Sequence, residues 1–407
     1  MSDMPSSHTW AFKSRFRREA YGWKATRLAS ERITEALAEI RRVFRTDGVL
    51  AAEGAVAFLE RLSPALCQVD GSSGALGNAT WAAVEELVPI LVTATATDKQ
   101  RRLWLERLFD ALMADDPPYL ESLGMHWGEL CGSKELAAEW ANRLLPSLRA
   151  AQQTRHSGRF TYFTGTDACF SALFSAGEHD TLLDLVRQDR SPTWHTLRWA
   201  GRVLLARGQV DEAIAMVHDK QGLNTHQAAL ARFCEDALLQ AGRRQEAFEQ
   251  YALKAHETQT NLGTYRAIKK QYPEVDGPDL LDRLVRRHPG QEGKWFATAK
   301  TLKLWDQAVT LAWSSPCDPK TLTRSARDHQ LSHPGFALEC ALASLHWISM
   351  GYGYELTGLD VLEPWNLSQG IVEASGQENW KTRRTEVVDR IQQSPQTRPW
   401  LRELLGW

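Results

Sequence analysis

The chain has 407 residues, 43% of them hydrophobic and 24% charged, with a formal net charge of −2. That balance describes a folded protein and excludes both a disordered body and a global electrostatic bias toward nucleic acid or membrane. The charge is uneven, because residues 1–45 hold ten Lys/Arg against five Asp/Glu.

The N-terminal stretch "MSDMPSSHTWAFKSRFRREA" has no apolar core behind its charges, so it does not read as a secretory signal. Just beyond it, Lys13, Arg15, Arg17, Arg18, Lys24 and Arg27 interleave with Phe12, Phe16, Tyr21 and Trp23. Cations beside aromatic platforms suit single-stranded nucleic acid, with Lys13, Arg15, Arg17, Arg18, Tyr21, Trp23 and Lys24 as the contact set. The same pattern suits an arm docked on its own protein, rings inward and charges outward. The weak overall charge favours the docked arm.

Helical periodicity dominates from there on. "ASERITEALAEIRRVF" and "VLAAEGAVAFLERLSPAL" predict an antiparallel pair around Thr46-Asp47-Gly48. "VDGSSGALGNATW" reads as a loop capping a helix, since no strand precedes its glycines and no G-K-[ST] follows. "ATWAAVEELVPILV" and "DKQRRLWLERLFDALMA" predict a second pair, followed by "LAAEWANRLLPSLRAA". The longest apolar stretch, "LVPILVTATA" from Leu87, is too short to span a bilayer. The polar stretch 153–168, including the loop "RFTYFTG", predicts a boundary between an irregular helical region, 1–155, and a repeat array, 156–407.

The array announces itself through related segments: "LFSAGEHDTLLDLV", "GRVLLARGQVDEAIAMVHD", "LLQAGRRQEAFEQYALKA" and "TAKTLKLWDQAVTLAW". In the second, Leu197, Ala200, Gly201 and Leu204 mark one helical face, Val210, Ala213, Ile214 and Val217 another, and Gly208 turns between them. Gly177 and Gly208 are 31 residues apart, Gly208 and Gly242 are 34 apart, and Lys303 takes the glycine position 61 residues later. Paired helices at this period predict an α-solenoid. The spacing resembles tetratricopeptide repeats: Gly201 and Ala213, twelve apart, match that family's two small positions. Phe170, Glu235 and Phe296 replace Gly201 in the other units and the late proline is missing, so the repeats are degenerate. "WAFKSRFRREAYGW", "AAEGAVAFLERLSPAL", "SSGALGNA", "WGELCGS", "PGQEGKWFATAK", "SPCDPKTLTRSARD" and "GYGYELTG" give the chain from Trp10 to Gly358 a second resemblance. It is similar to an uncharacterised family of bacterial all-helical proteins. That resemblance implies a helical fold and a bacterial source, and it implies no activity.

The C-terminal part carries the main candidate site. Asp318-Pro319 is a strong helix start, and Lys320, Arg324 and Arg327 follow on one face at i, i+4 and i+7. Cations there suit a carboxylate, a phosphate or an acidic partner segment; the plainer alternative is a solvated face with Arg324 paired to Asp328. His329 and His333 have zinc-ligand spacing, but Gln330 stands where the H-E-x-x-H motif needs glutamate and no C-x-x-C occurs, so no metal or cofactor is expected. The Gly-Tyr-Gly-Tyr run at 351–354 reads as an inter-helix loop burying two rings. Most of the 16 tryptophans, Trp81, Trp104, Trp295, Trp305 and Trp313 among them, fall at core spacing. "WLRELLGW" is apolar enough to close the array. Six dispersed cysteines suit reduced thiols in a cytoplasmic protein. No hydrolase or kinase signature occurs. The expected function is a non-catalytic scaffold or adaptor that binds a protein partner or acidic peptide on a concave face, with nucleic-acid binding and a motif-free enzyme as alternatives.

Overall fold

The computed structural model describes residues 8–156, 161–189, 192–222 and 225–407. Among them every regular element is a helix and no strand occurs, so the all-α class holds. The chain forms two compact units, Met1–His226 and Gln227–Trp407.

In the first unit a short α1 (Phe12–Arg15) precedes α2 (Thr26–Phe44) and α3 (Gly48–Leu66), which pack as the predicted pair. Asp47 makes the turn work by accepting a hydrogen bond from the Leu50 N–H at 2.9 Å, satisfying a group the helix start leaves open. α4 (Ala75–Thr93) begins at Gly74, whose φ of +71° suits glycine, and α5 (Asp98–Met113) begins at a capping box of Thr97 and Gln100. The predicted α4–α5 hairpin is replaced by a different arrangement: α4 lies on α2 and α3, and α5 lies on α3. α3 is apolar on nearly every side, from Ala51 and Phe58 to Leu62 and Leu66, so it needs covering from several directions. The stretch from Leu87 is the second half of α4, a helix long and apolar enough to cross a membrane by length and composition; Leu76, Val84, Leu87 and Leu91 are buried in the unit's core.

A 3-10 turn, Glu121–His126, leads into α6 (Trp127–Cys131) and α7 (Lys134–His156). The hairpins α8 (Thr166–Ala176) with α9 (His179–Gln188) and α10 (Trp194–Ala206) with α11 (Val210–Asp219) complete the unit. The predicted boundary at 153–168 lies inside this unit, and α7 and α8 pack directly on each other across it. A polar connection can join two packed helices as readily as two domains; here it does the former. Residues 157–160 of that stretch, including the start of "RFTYFTG", lie outside the described residues, and 161–165 form an irregular turn.

The second unit opens with α12 (Gln227–Gln240) and a hairpin partner built from α13 (Arg244–Ala247), a π turn and α14 (Leu253–Ala255). Then come α15 (Asn261–Gln271), α16 (Gly277–Arg286), α17 (Phe296–Thr301), α18 (Trp305–Ser314), α19 (Pro319–His329), α20 (Pro334–Ser349), α21 (Gly358–Ser375), α22 (Glu378–Gln393) and α23 (Pro399–Leu405). In α23, Leu401 is buried and Trp407 sets its ring edge-on to Trp365, so the C-terminal segment packs on α21.

The four related segments share one turn. Gly177, Gly208 and Gly242 have φ of +78°, +75° and +75°, and Lys303, at the aligned position, also adopts a left-handed φ of +61°. The next residue donates its N–H back to a carbonyl five residues earlier each time: Glu178 to Leu173, Gln209 to Leu204, Arg243 to Leu238 and Leu304 to Ala299. This is the hydrogen bond of a Schellman helix stop. Where Gly201 has its counterparts, Phe170 and Phe296 are fully buried and Glu235 is nearly so.

Candidate functional site

Asp318 caps α19 as expected, accepting from the Thr321 N–H at 2.9 Å, with Pro319 in the first helical position. That fixes the register of the helix and sends Leu322, Thr323, Ser325 and Ala326 inward. Lys320, Arg324 and Arg327 consequently face outward and line a depression of about 150 Å³ with Pro319, Thr323, Asp360 and Glu363. The acids come from α21. Arg327 Nη1 donates to Glu363 Oε1 at 2.8 Å, and Lys320 Nζ lies 3.9 Å from Asp360 Oδ1 and donates to the Glu355 carbonyl at 3.2 Å. Thr357 and Lys320 together hold Asp360 below the usual carboxylate range despite its partial burial. The Arg324–Asp328 pair of the plainer alternative does not form; Asp328 sits 3.8 Å from Arg327 Nε instead. Arg324 thus remains exposed, with no hydrogen bond or ion pair to a described residue.

No protein-family model matches this chain, and no curated protein matches it.

The loop beside the depression departs from expectation. Gly351 and Gly353, at φ of +90° and +110°, turn the backbone outward, leaving Tyr352 45% and Tyr354 79% exposed. Tyr352 sets its ring edge-on to the buried Trp347, with ring centroids 5.5 Å apart.

The N-terminal contact set divides. Phe12, Phe16 and Tyr21 are buried, and Phe12 and Phe16 both pack edge-on to Phe58 of α3. Arg15 pairs with Glu35 and Arg18 lies 3.6 Å from Glu19. Lys13, Arg17, Lys24 and Trp23 are exposed. Rings that fill a core are not platforms for bases, so Trp23 alone of the four aromatics is placed to stack.

His329 ends α19 and His333 caps α20, so the two are not on one helix; the Trp305 ring packs against both, 5.2 and 4.4 Å away by centroids. Among the described residues no group of three His, Cys, Asp or Glu is placed to hold a metal ion. No disulfide joins the six cysteines, and burial pushes the thiols of Cys131, Cys169 and Cys317 up to about 12, which suppresses thiolate chemistry.

Two buried carboxylates were not legible as sites. In the first unit Asp167, in the opening turn of α8, accepts from Trp199 Nε1 and Arg198 Nη2 at 3.1 Å each and lies 3.3 Å from His195 Nδ1. Burial alone would raise its pKa; the hydrogen bond with His195 and the Arg198 charge outweigh that and hold it down. His195 is raised in return, first by that hydrogen bond. In the second unit Glu235 of α12 accepts from the Tyr272 hydroxyl at 2.7 Å and pairs with His256 Nε2 at 2.9 Å. A charged residue on an apolar helical face was the available signal for Glu235; its partners are assembled by tertiary packing. Both clusters tie neighbouring helices together. Elsewhere, Arg102–Glu139 and Arg143–Glu106 cross-link α5 and α7 around a surface depression of about 280 Å³, each cation matched by its acid.

Proposed function

We propose that this protein is a cytoplasmic, non-catalytic scaffold or adaptor whose hairpins stack within each unit as degenerate tetratricopeptide-like repeats. Its α19–α21 face binds an acidic segment of a protein partner. The observation that carries this reading is Arg324: an exposed guanidinium, set in a depression between two other cations, whose neighbours Lys320 and Arg327 are occupied by Asp360 and Glu363 while it pairs with no acid among the described residues. Arginine presents a planar fork suited to a carboxylate, and an unpaired one at the centre of a depression is available to a ligand. The buried N-terminal rings weigh against the nucleic-acid alternative.

The test is affinity capture from native cell extract with the full-length chain, wild type and Arg324→Glu, with and without nuclease. The expected result is a stoichiometric protein partner that survives nuclease and is lost from the Arg324→Glu bait. A partner retained equally by Arg324→Glu would overturn the assignment of this face. Capture that disappears with nuclease would move the function to nucleic acid.

A further inference from the structure

The surface around Arg324 is mixed in a way that narrows the ligand. Lys320 touches the backbone of Glu355 and approaches Asp360. The chain neighbours of those two contact residues are Tyr354 and Leu359, and their side chains are 79% and 76% exposed. At the other end, two residues beyond α19, Leu331 is 94% exposed. An exposed aromatic and an exposed aliphatic residue thus adjoin in sequence the two residues that Lys320 meets, and an exposed leucine follows the C-terminal end of α19. From Lys320 to His329 the helix rises about 14 Å at ~1.5 Å per residue, the length of a short peptide segment. Tyrosine and arginine together are the composition of interface anchors, whereas acid-only ligands would leave the apolar groups uncovered.

The charge balance narrows it further. Among the residues lining the depression, three cations face the carboxylates of Asp360 and Glu363, a net of +1, with Asp328 at its edge 3.8 Å from Arg327. Asp360 and Glu363 repel a phosphate dianion about twice as strongly as a singly charged carboxylate held on Arg324, which favours the carboxylate.

We infer that the partner segment is a short acidic peptide in which a carboxylate that reaches Arg324 is flanked by an aromatic or aliphatic side chain that packs on Tyr354 and Leu359. This deepens the function proposed above and rests on it. The experiment is selection of random dodecapeptides displayed on phage against the full-length protein. The selected peptides are then synthesised and titrated by fluorescence polarisation against wild type, Arg324→Glu and the double variant Tyr354→Ser/Leu359→Ser. All three positions are exposed, and circular dichroism verifies that the variants fold. The expected peptides combine Asp or Glu with Trp, Phe or Leu; Arg324→Glu weakens them at least about tenfold, and the double variant by roughly fivefold or more. Acidic peptides lacking apolar residues, or equal binding to the double variant, would overturn this inference and leave the Arg324 reading intact. Peptides that bind Arg324→Glu as tightly as wild type would overturn both. A failure to select any peptide would overturn the inference alone, because capture of a partner by wild type and not by Arg324→Glu decides the broader reading separately.

Discussion

Removing the carboxylate of Asp167 tests how the α8 and α10 helices are held together. Asp167 is 8% exposed and receives Trp199 Nε1, Arg198 Nη2 and His195 Nδ1. In Asp167→Ala the buried Trp199 N–H loses its acceptor, a cost of about 1–3 kcal/mol, and the Arg198 guanidinium, whose side chain is 21% exposed, loses its partner. Breaking a buried pair from one side costs about 3–5 kcal/mol, and the two terms overlap because one carboxylate serves both donors, so about 3–5 kcal/mol is the expected total. Asp167→Asn keeps one oxygen for Trp199 and should cost less, about 2 kcal/mol.

Urea unfolding followed by tryptophan fluorescence and circular dichroism measures both variants. The pH dependence is set by the directions of the two shifts. Asp167 is lowered, so its contribution is present above the ordinary carboxylate value and fades as pH falls through its folded value. His195 is raised, so its contribution is full below its ordinary value and fades as pH rises through its folded value. The gap between wild type and Asp167→Ala should therefore be widest between about pH 4.5 and 6, bracketed by ordinary values of ~3.9 and ~6.5. A gap under about 1 kcal/mol in that window, or one that does not narrow toward acid, would refute the reasoning.

Glu235→Ala should destabilise the second unit by about 3–5 kcal/mol, while Tyr272→Phe, which leaves the His256 contact in place, should cost only about 1–2 kcal/mol in the same urea assay. Gly54→Ala places a Cβ inside the van der Waals shell of the Trp10 ring, so Trp10 must leave its seat; a loss of about 1–3 kcal/mol and faster tryptic cleavage after Lys13 or Arg15 are expected. Of the six thiols, five are buried and Cys67 is half-buried, so Ellman's reagent should titrate Cys67 first in the native protein and all six after denaturation. Rapid native reaction of Cys169 or Cys340 would contradict the packing.

The tryptophans show where sequence reasoning reached its limit. Trp104 and Trp295 are buried as their helical spacing predicts, yet Trp81, at similar spacing on α4, is 48% exposed. α4 is apolar around most of its circumference, so periodicity did not single out one inward face, and packing against α2 and α3 made that choice. The tyrosines at 352 and 354 failed for a related reason: left-handed glycines set the direction of a loop, and a composition reading assigns aromatic rings to the core by default.

What the amino-acid sequence determined by itself was local. The all-α class, the helix starts at Asp47 and Asp318, the shared turn at Gly177, Gly208 and Gly242, and the odd place of Lys303 in that series all follow from interactions within a few residues along the chain. The face presented by Lys320, Arg324 and Arg327 followed from helical geometry for the same reason. Tertiary structure alone decided which helices pair, where the compact units part, and which charges find partners. The plainer alternative paired Arg324 with Asp328 on its own helix, but that acid turned to Arg327 while α21 brought Asp360 and Glu363 to Lys320 and Arg327. Ion pairing depends on distances between segments tens of residues apart, and no local pattern encodes those distances.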